Sequence, residues 1–167
     1  MDDRRDRMIA NLFTIVGGFF CATLIEYGVH KFYLHKLTTN SNSQAHHKKF
    51  DPKRIKFRDS QADPVEILAS CDYIIFQILI LVPVLGLLWL ADQFSALLVL
   101  ATAIAYISWV EVIHLHFHYP TGAKIEKIDL FKTLQWHHKI HHRYQESNFG
   151  VGTSLWDYIF ATKQTRN

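Results

Sequence analysis

Residues 136–142 spell WHHKIHH, so four of the six positions from His137 to His142 are histidine. All eleven histidines of the 167-residue chain fall in four windows, at 30–35, 46–47, 114–118 and 137–142. Neutral imidazole is a good ligand for iron, zinc, copper and nickel. The clustering therefore indicates a metal site, and a histidine-rich charged surface is the alternative.

The spacing within the windows indicates which histidines share a helix face. His114 and His118 lie four residues apart on one predicted face, and His116 points away from both. His30 and His35 are five residues apart, about 140° around an ideal α-helix. We therefore expect them to straddle a site or bind two metals, rather than chelate one metal from a single face.

The last window follows the same helical rule. His138, His141 and His142 share one face, and His137 pairs with His141 by the same geometry. Four windows hold more imidazoles than one four-coordinate ion needs. The sequence therefore predicts two metals.

Three apolar runs, residues 9–29, 73–91 and 95–118, must position these windows. At about 1.5 Å per residue, a run of about 20 residues crosses the hydrocarbon core of a bilayer. We expect three membrane helices, the last two forming a tight hairpin, with Pro83 and Gly86 bending the second. A cleaved signal peptide is the competing interpretation of the first run, and a buried hairpin in a soluble bundle is the alternative for the others.

The basic residues predict the orientation in the membrane. All 18 Lys and Arg residues lie in 1–58 or 124–166, and none lies in 59–123. The positive-inside rule places the segments after the first and third runs in the cytoplasm, so every histidine meets at the cytoplasmic interface. The N-terminus would then lie outside, unless the Gly17-Gly18 pair marks a re-entrant or strongly bent first helix.

Other features exclude some classes of protein. A net charge of +3 is too small to indicate nucleic-acid binding. Cys21 and Cys71 are far apart and lack C-x-x-C spacing, so they predict neither a disulfide framework nor a thiolate site. The chain also lacks H-E-x-x-H, which disfavours a zinc hydrolase.

Two acidic residues lie within the apolar runs, close to the histidines. Glu26 is four residues before His30, and Glu111 is three residues before His114. A carboxylate in a membrane helix is costly and suggests a function. We expect each to accept the second N–H of a ligand histidine, with packing against a Tyr or Ser hydroxyl as the alternative.

These motifs resemble those of the fatty acid hydroxylase and sterol desaturase superfamily, whose pattern is HX4H, HX2HH, HX3H and HX2HH. The first motif is matched by EYGVHKFYLH, the third by HLHFH and the last by HHKIHH. The tail NFGVGTSLWDYIFAT is similar to the segment that follows the last motif in family members, so the resemblance covers about residues 26–162. The second motif departs from the pattern, because Ser43 stands where its first histidine belongs. The resemblance implies nine metal ligands: His30, His35, His46, His47, His114, His118, His138, His141 and His142. His116 and His137 lie outside the pattern and are possible extra ligands.

The tail is expected to fold over the metals. Asn148 and Asp157 are predicted to support ligand histidines or cap helices, and Gly150 and Gly152 to permit tight turns. The aromatic side chains of Trp156, Tyr158 and Phe160 are expected to anchor the tail at the membrane interface.

The resemblance implies one all-α domain spanning 1–167, an integral-membrane bundle of three to four spans with a cytoplasmic helical cap. It also implies two irons, which zinc can replace in isolated protein, with O₂, a lipid substrate and an external electron-transfer protein. Lys48, Lys49, Lys53, Arg54, Lys56 and Arg58 are expected to dock that carrier or anionic lipid.

The predicted location is the bacterial inner membrane or the membrane of the endoplasmic reticulum, with the histidine motifs on the cytoplasmic side. The predicted activity is hydroxylation of an unactivated lipid C–H bond. The alternatives are a lipid desaturase or carotenoid hydroxylase of the same superfamily, a membrane protein that binds or transports metal, and an inactive scaffold suggested by Ser43.

Overall fold

The computed structural model describes residues 3–37, 41–52, 57–68 and 71–165, and these form helices and loops without a strand. The α-helices are α1 (Asp3–Gly28), α2 (Ser41–Lys49), α3 (Cys71–Ala91), α4 (Gln93–His118), α5 (Asp129–Arg143) and α6 (Leu155–Ile159). A π-helical segment, Val29–Leu37, follows α1 directly, and short 3₁₀ turns occupy Pro64–Glu66 and Lys124–Lys127.

Three helical segments are long and apolar enough to cross a membrane: 4–35, 73–91 and 93–118. Their outer surfaces expose large apolar side chains, including Phe13, Leu87 and Leu90, the last of which is 86% exposed. Such a surface would be unfavourable in water and suits lipid. The predicted all-helical fold with three spans is confirmed for the described residues.

The second and third spans form the predicted hairpin. Asp92 alone separates α3 from α4, and its carboxylate accepts hydrogen bonds from the backbone N–H groups of Phe94 and Ser95, at 3.2 and 3.1 Å. This is an N-cap, which satisfies donors that a helix leaves free at its first turn. Pro83 lies inside α3, and the helix continues through it to Ala91.

Helix α1 packs against α4 in parallel. A Cβ atom placed on Gly18 would lie 3.3 Å from the Cα of Val99, so the two backbones are in close contact there. Two turns further along α1, Glu26 meets Tyr106 of α4. Small residues allow this approach in membrane helices, and the parallel packing brings His30 and His114 to the same end of the bundle.

The Gly17-Gly18 pair therefore has a different role from the one considered above. Helix α1 is continuous from Asp3 to Gly28, so the prediction of a re-entrant first helix is wrong. Gly18 is buried against α4, whereas Gly17 is exposed. The glycine serves helix packing rather than a turn.

The main core joins the spans to α5 and the tail. Its buried members come from α1, α3, α4, α5 and the loops around residues 57 and 151: Ala22, Phe57, Leu81, Val99, Ala103, Tyr106, Val110, Ile113, Phe117, Phe131, Leu134 and Val151. A smaller cluster of Phe50, Ala62 and Ile67 holds α2 against the loop that precedes α3. Together the two clusters fix α2, α5 and the tail over the ends of α1 and α4.

The two adjacent glycines of α1 provide a matched test of this packing. We expect Gly18→Leu to destabilise the protein by roughly 1–3 kcal/mol, because the new side chain must separate α1 from α4. Gly17→Leu should have little effect, since a Cβ there meets nothing within 4 Å. Thermal unfolding in detergent measures both, and equal losses for the two variants would contradict the close contact.

Candidate metal centre

Nine histidines converge at one end of the bundle in two groups. Within each group, the ring nitrogens that could bind a metal all lie within 4.8 Å of one another. The five-histidine group consists of His46, His114, His118, His138 and His142, and the four-histidine group consists of His30, His35, His47 and His141. Each group could hold one metal ion.

The π-helical segment brings His30 and His35 into the same group. The expectation that they could not chelate one metal from a single face is wrong, because it assumed an ideal α-helix. A π-helix places residues five apart one above the other through its i→i+5 hydrogen bonds. Both rings therefore lie on one face of Val29–Leu37.

Neighbouring histidines on α2 and α5 divide between the two groups. His46 joins the five-histidine group and His47 the four-histidine group; on α5, His142 and His141 divide in the same way. Consecutive residues of an α-helix point about 100° apart. Helices α2 and α5 thus each contribute to both groups, which fixes the groups side by side.

Backbone carbonyls fix the orientation of several of these rings. The Nδ1 atoms of His30, His118 and His141 lie 2.6, 2.9 and 2.7 Å from the carbonyl oxygens of Phe149, Phe57 and Ser147. A carbonyl only accepts, so each Nδ1 carries the proton and donates it. The Nε2 atom of each neutral ring is then left with a lone pair, as metal ligation requires.

The distances between facing nitrogens suit a bound metal. The Nε2 atom of His138 lies 3.1 Å from the Nε2 atoms of both His118 and His142, and those of His35 and His141 are 3.2 Å apart. Metal–nitrogen bonds of about 2.1 Å place neighbouring ligand atoms roughly 3.0–3.4 Å apart. Neither group contains a carboxylate among the described residues, so the donors are all imidazoles.

Unpaired buried nitrogens support the same interpretation. Nε2 of His46 and Nδ1 of His47, His138 and His142 have no hydrogen-bond partner. Buried polar atoms without partners are costly. His138 and His142 face their neighbours with Nε2, so their Nδ1 atoms carry the proton and leave Nε2 free for a cation. The residues present therefore fit a metal.

Burial keeps the histidines outside the spans uncharged. It lowers the pKa of His46 to about 4, with the charge of Lys49 adding to the effect, and the pKa of His141 to about 3, with His35 adding to it. Burial, reinforced by neighbouring histidines, also holds the pKa of His47, His138 and His142 well below the ordinary value. At neutral pH these rings are neutral, the form that binds metal.

His116 and His137 lie outside both groups. Nδ1 of His116 is 3.1 Å from the hydroxyl of Thr121 and 3.3 Å from a carboxylate oxygen of Glu126. His137 is buried, with its Nε2 3.0 Å from Oδ2 of Asp157. The structure does not bring either of these possible extra ligands to a group. Ser43 lies in α2, and its side chain falls outside the described residues.

The carboxylate of Glu26 does not contact a ligand histidine. It accepts hydrogen bonds from the backbone N–H of Val151 at 3.1 Å and the hydroxyl of Tyr106 at 3.3 Å. Glu111 is half-buried on α4, one turn before His114. The Glu26 contact with a tyrosine matches the alternative considered above, and the contact with the tail was not expected.

The tail does lie over the four-histidine group, as expected. Asp157 is fully buried, and its carboxylate accepts hydrogen bonds from the N–H groups of Phe149 and Gly150 at 2.8 and 2.9 Å. Burial would raise the pKa of Asp157, but hydrogen bonds from His137, Thr162 and Gly150 outweigh it and keep this pKa below its ordinary value.

The remaining tail residues divide between the core and the surface. The side chain of Asn148 donates to the carbonyls of His137 and Gln164. Trp156 donates its indole N–H to Thr23 of α1 at 2.9 Å, while Tyr158 and Phe160 are exposed.

Sequence reasoning missed the carbonyls that orient the rings. Phe57, Ser147 and Phe149 act through their backbones, so their side-chain types carry no signal of that role. The sequence predicted that the tail would fold over the metals, but not which of its atoms would face them.

The fold and site define a class of protein: an all-helical chain with membrane-spanning helices and paired, buried histidine clusters that could hold two metals. The chain matches the fatty acid hydroxylase family over residues 15–162 and belongs to that family. The predicted family is thus confirmed.

Curated relatives of known name agree with this assignment. The chain is 28% identical to fatty acid 2-hydroxylase of Homo sapiens over 93% of its own length and 40% of that protein. It is 27% identical to the Rattus norvegicus enzyme of the same name, over 87% of its length and 38% of that protein. The chain therefore spans about two-fifths of the length of these relatives. No solved structure matches it.

The depressed histidine pKa values predict acid sensitivity of the metal-free protein. Histidines of the unfolded chain gain protons below the ordinary pKa of 6.5, whereas folded His46 does so only near 4. Between these values the unfolded state binds more protons, so stability must fall as the pH falls. Thermal unfolding of metal-depleted protein between about pH 7 and pH 5 measures this, and a midpoint that does not fall would contradict the burial of neutral rings.

Proposed function

We propose that this protein hydroxylates an unactivated C–H bond of a membrane lipid, fatty acyl or sterol-like, using O₂ and two irons held by the histidine groups. The observation that carries the proposal is the convergence of nine histidines, six of them buried, into two groups at the end of membrane-spanning helices. Membership of the fatty acid hydroxylase family supports a lipid as substrate.

The donor set suits iron rather than the harder cations, because imidazole nitrogen favours transition metals and oxygen ligands favour Mg²⁺ and Ca²⁺. The five- and four-histidine groups would each hold one ion. Bound iron would supply the redox chemistry by which one oxygen atom of O₂ enters the C–H bond and the other leaves as water, with two electrons and two protons consumed. The neutral imidazoles add no ligand charge.

The protein residues exclude water and hold the rings. His118, His138 and His141 are 2% exposed or less, and Phe50 and Phe117 pack around the five-histidine group with no exposure. A dry site protects reactive chemistry from side reactions. Because His114 and His118 form the last turns of α4, we propose that alkyl chains reach the site from the bilayer without full extraction.

An external protein is proposed to supply the electrons, on the cytoplasmic side given by the basic residues. Of the six basic residues predicted to dock it, Lys53, Arg54 and Lys56 lie outside the described residues. Lys49 forms an ion pair with Glu66, and Arg58 forms one with Glu126. Among the three of these residues that the structure describes, we propose the exposed Lys48 for a docking role.

The desaturase and carotenoid hydroxylase alternatives would use the same ligands, and product analysis separates them. A metal transporter would place ligands along a path through the spans. The two groups instead lie at one end of α1 and α4, which favours an enzyme.

Iron content and oxygen labelling together test the proposal. We expect protein purified anaerobically with isotopically enriched iron to contain close to two irons per chain and to give a coupled di-iron Mössbauer spectrum. With a reductant and isotopically labelled O₂, membrane lipids should gain one labelled hydroxyl oxygen.

A ligand variant is the matched control. His138→Ala should lose iron and product together, whereas His116→Ala should keep its iron, since His116 lies outside both groups. Protein that binds no iron where a known family member loads fully would refute the proposal. Unlabelled product, or a new double bond in its place, would refute hydroxylation.

A further inference from the structure

Each histidine group is supported by its own stretch of backbone. We call residues 147–151 the tail segment and residues 57–67 the loop segment. The tail segment supplies the carbonyls of Ser147 and Phe149 to His141 and His30, both in the four-histidine group. Of the two groups, the loop segment hydrogen-bonds within the described residues to histidines of the five-histidine group and to none of the four-histidine group.

The loop segment wraps the end of α4. The carbonyl of Phe57 accepts from Nδ1 of His118 at 2.9 Å, and the N–H of Asp59 donates to the carbonyl of His118 at 2.8 Å. His114 is hydrogen-bonded to the backbone of Ile67. Both histidines belong to the five-histidine group.

An ion pair holds the loop segment in place. Nη2 of Arg58 donates to the carbonyl of His116 at 3.2 Å and to Glu126 at 2.7 Å. The other carboxylate oxygen of Glu126 accepts from the N–H and the hydroxyl of Thr121 at 2.8 and 2.9 Å. Glu126 thus ties Arg58 to the turn that follows α4.

The tail segment is held from one side by Asp157. Oδ1 accepts from the N–H of Phe149 and from the hydroxyl of Thr162 at 2.7 Å, and Oδ2 accepts from the N–H of Gly150 and from His137. A Cβ on Gly150 would lie 2.0 Å from the carbonyl oxygen of Thr153, so this turn admits only glycine. Four donors on one buried carboxylate fix the position of the Phe149 carbonyl.

Glu26 holds the same segment from the membrane side. It is 1% exposed, and Oε1 accepts from the N–H of Val151, two residues beyond the carbonyl that binds His30. Oε2 accepts from the hydroxyl of Tyr106. The proposed mechanism assigns no other task to this buried carboxylate.

We infer that Asp157 and Glu26 are positioning residues for the metal of the four-histidine group, and that Arg58 and Glu126 position the metal of the five-histidine group. The inference rests on the proposed function, in that each group binds an ion. Groups that orient a ligand ring fix its tautomer and raise its basicity, and their loss weakens metal affinity about 10- to 100-fold.

The test is a metal titration of the metal-depleted full chain in detergent, with Fe²⁺ and then Zn²⁺ as probes. The wild type should bind two equivalents. Asp157→Asn should weaken one equivalent about 10- to 100-fold and leave the other unchanged, because an amide offers one oxygen to four donors. Glu126→Gln should also weaken one equivalent, and combining the two should weaken both.

Ligand variants then identify the affected group. In the Asp157→Asn background, His118→Ala should remove the remaining tight equivalent, whereas His141→Ala should leave it in place. In the Glu126→Gln background the two effects should be exchanged. Mössbauer spectra of Asp157→Asn at one equivalent should show mononuclear iron rather than a coupled pair.

Conservative variants separate positioning from folding. Glu26→Gln keeps an oxygen for the N–H of Val151 and should retain most of the metal affinity of the four-histidine group. Glu26→Ala should weaken that metal affinity as much as Asp157→Asn does. Tyr158→Phe, on the exposed side of α6, should bind two equivalents as the wild type does. If Asp157→Asn does not fold, Glu26→Ala and Thr162→Val perturb the same segment and give the same readout.

The outcomes for the two proposals are distinct. Wild-type protein that binds no metal refutes the proposed function. Wild-type protein that binds two equivalents refutes the inference if Asp157→Asn and Glu26→Ala leave both unchanged, or weaken both equally.

Discussion

Uncharged imidazoles buried side by side are the constraint on which the rest of the structure depends. Each ring must present a bare nitrogen to its neighbours, and an acceptor for its other N–H holds the ring in that orientation. Backbone carbonyls meet that need, as Phe57, Ser147 and Phe149 show. Loops must therefore approach the histidines as closely as side chains would, and the tail and the segment before α3 are both held over the ends of α1 and α4 for that purpose.

Much of the fold follows from patterns that physics ties directly to residue type. Apolar runs of membrane length gave the three spans, and i, i+4 spacing correctly placed His114 with His118. The wrong predictions concern places where the backbone departs from an ideal α-helix or where main-chain atoms, rather than side chains, make the contact. His30 and His35 were separated by an assumed α-helix. Gly17-Gly18 suggested a re-entrant or strongly bent helix, because a packing contact with α4 has no local signature.

The acidic residues show a second limit of sequence reasoning. Glu26 was identified by its unfavourable setting in an apolar run, which is a sound physical argument, and Asp157 by its place in the tail. The partner expected for Glu26 was a ligand imidazole. The structure gives Glu26 the N–H of Val151, and gives Asp157 the N–H groups of Phe149 and Gly150 together with the ring of His137. A buried carboxylate must find donors, and sequence alone cannot tell a ring from a backbone amide that lies 125 residues away.

The π-helical segment after α1 makes two different motif spacings equivalent. His30 and His35, five residues apart on a π-helix, have ring centroids 5.2 Å apart, while His114 and His118, four apart on an α-helix, have centroids 5.1 Å apart. One extra residue is thus absorbed as a wider helical turn with the ring separation unchanged. Motif spacing in such proteins encodes helix type as well as ligand position, and a one-residue deletion between His30 and His35 would conserve the pair if the segment returned to an α-helix.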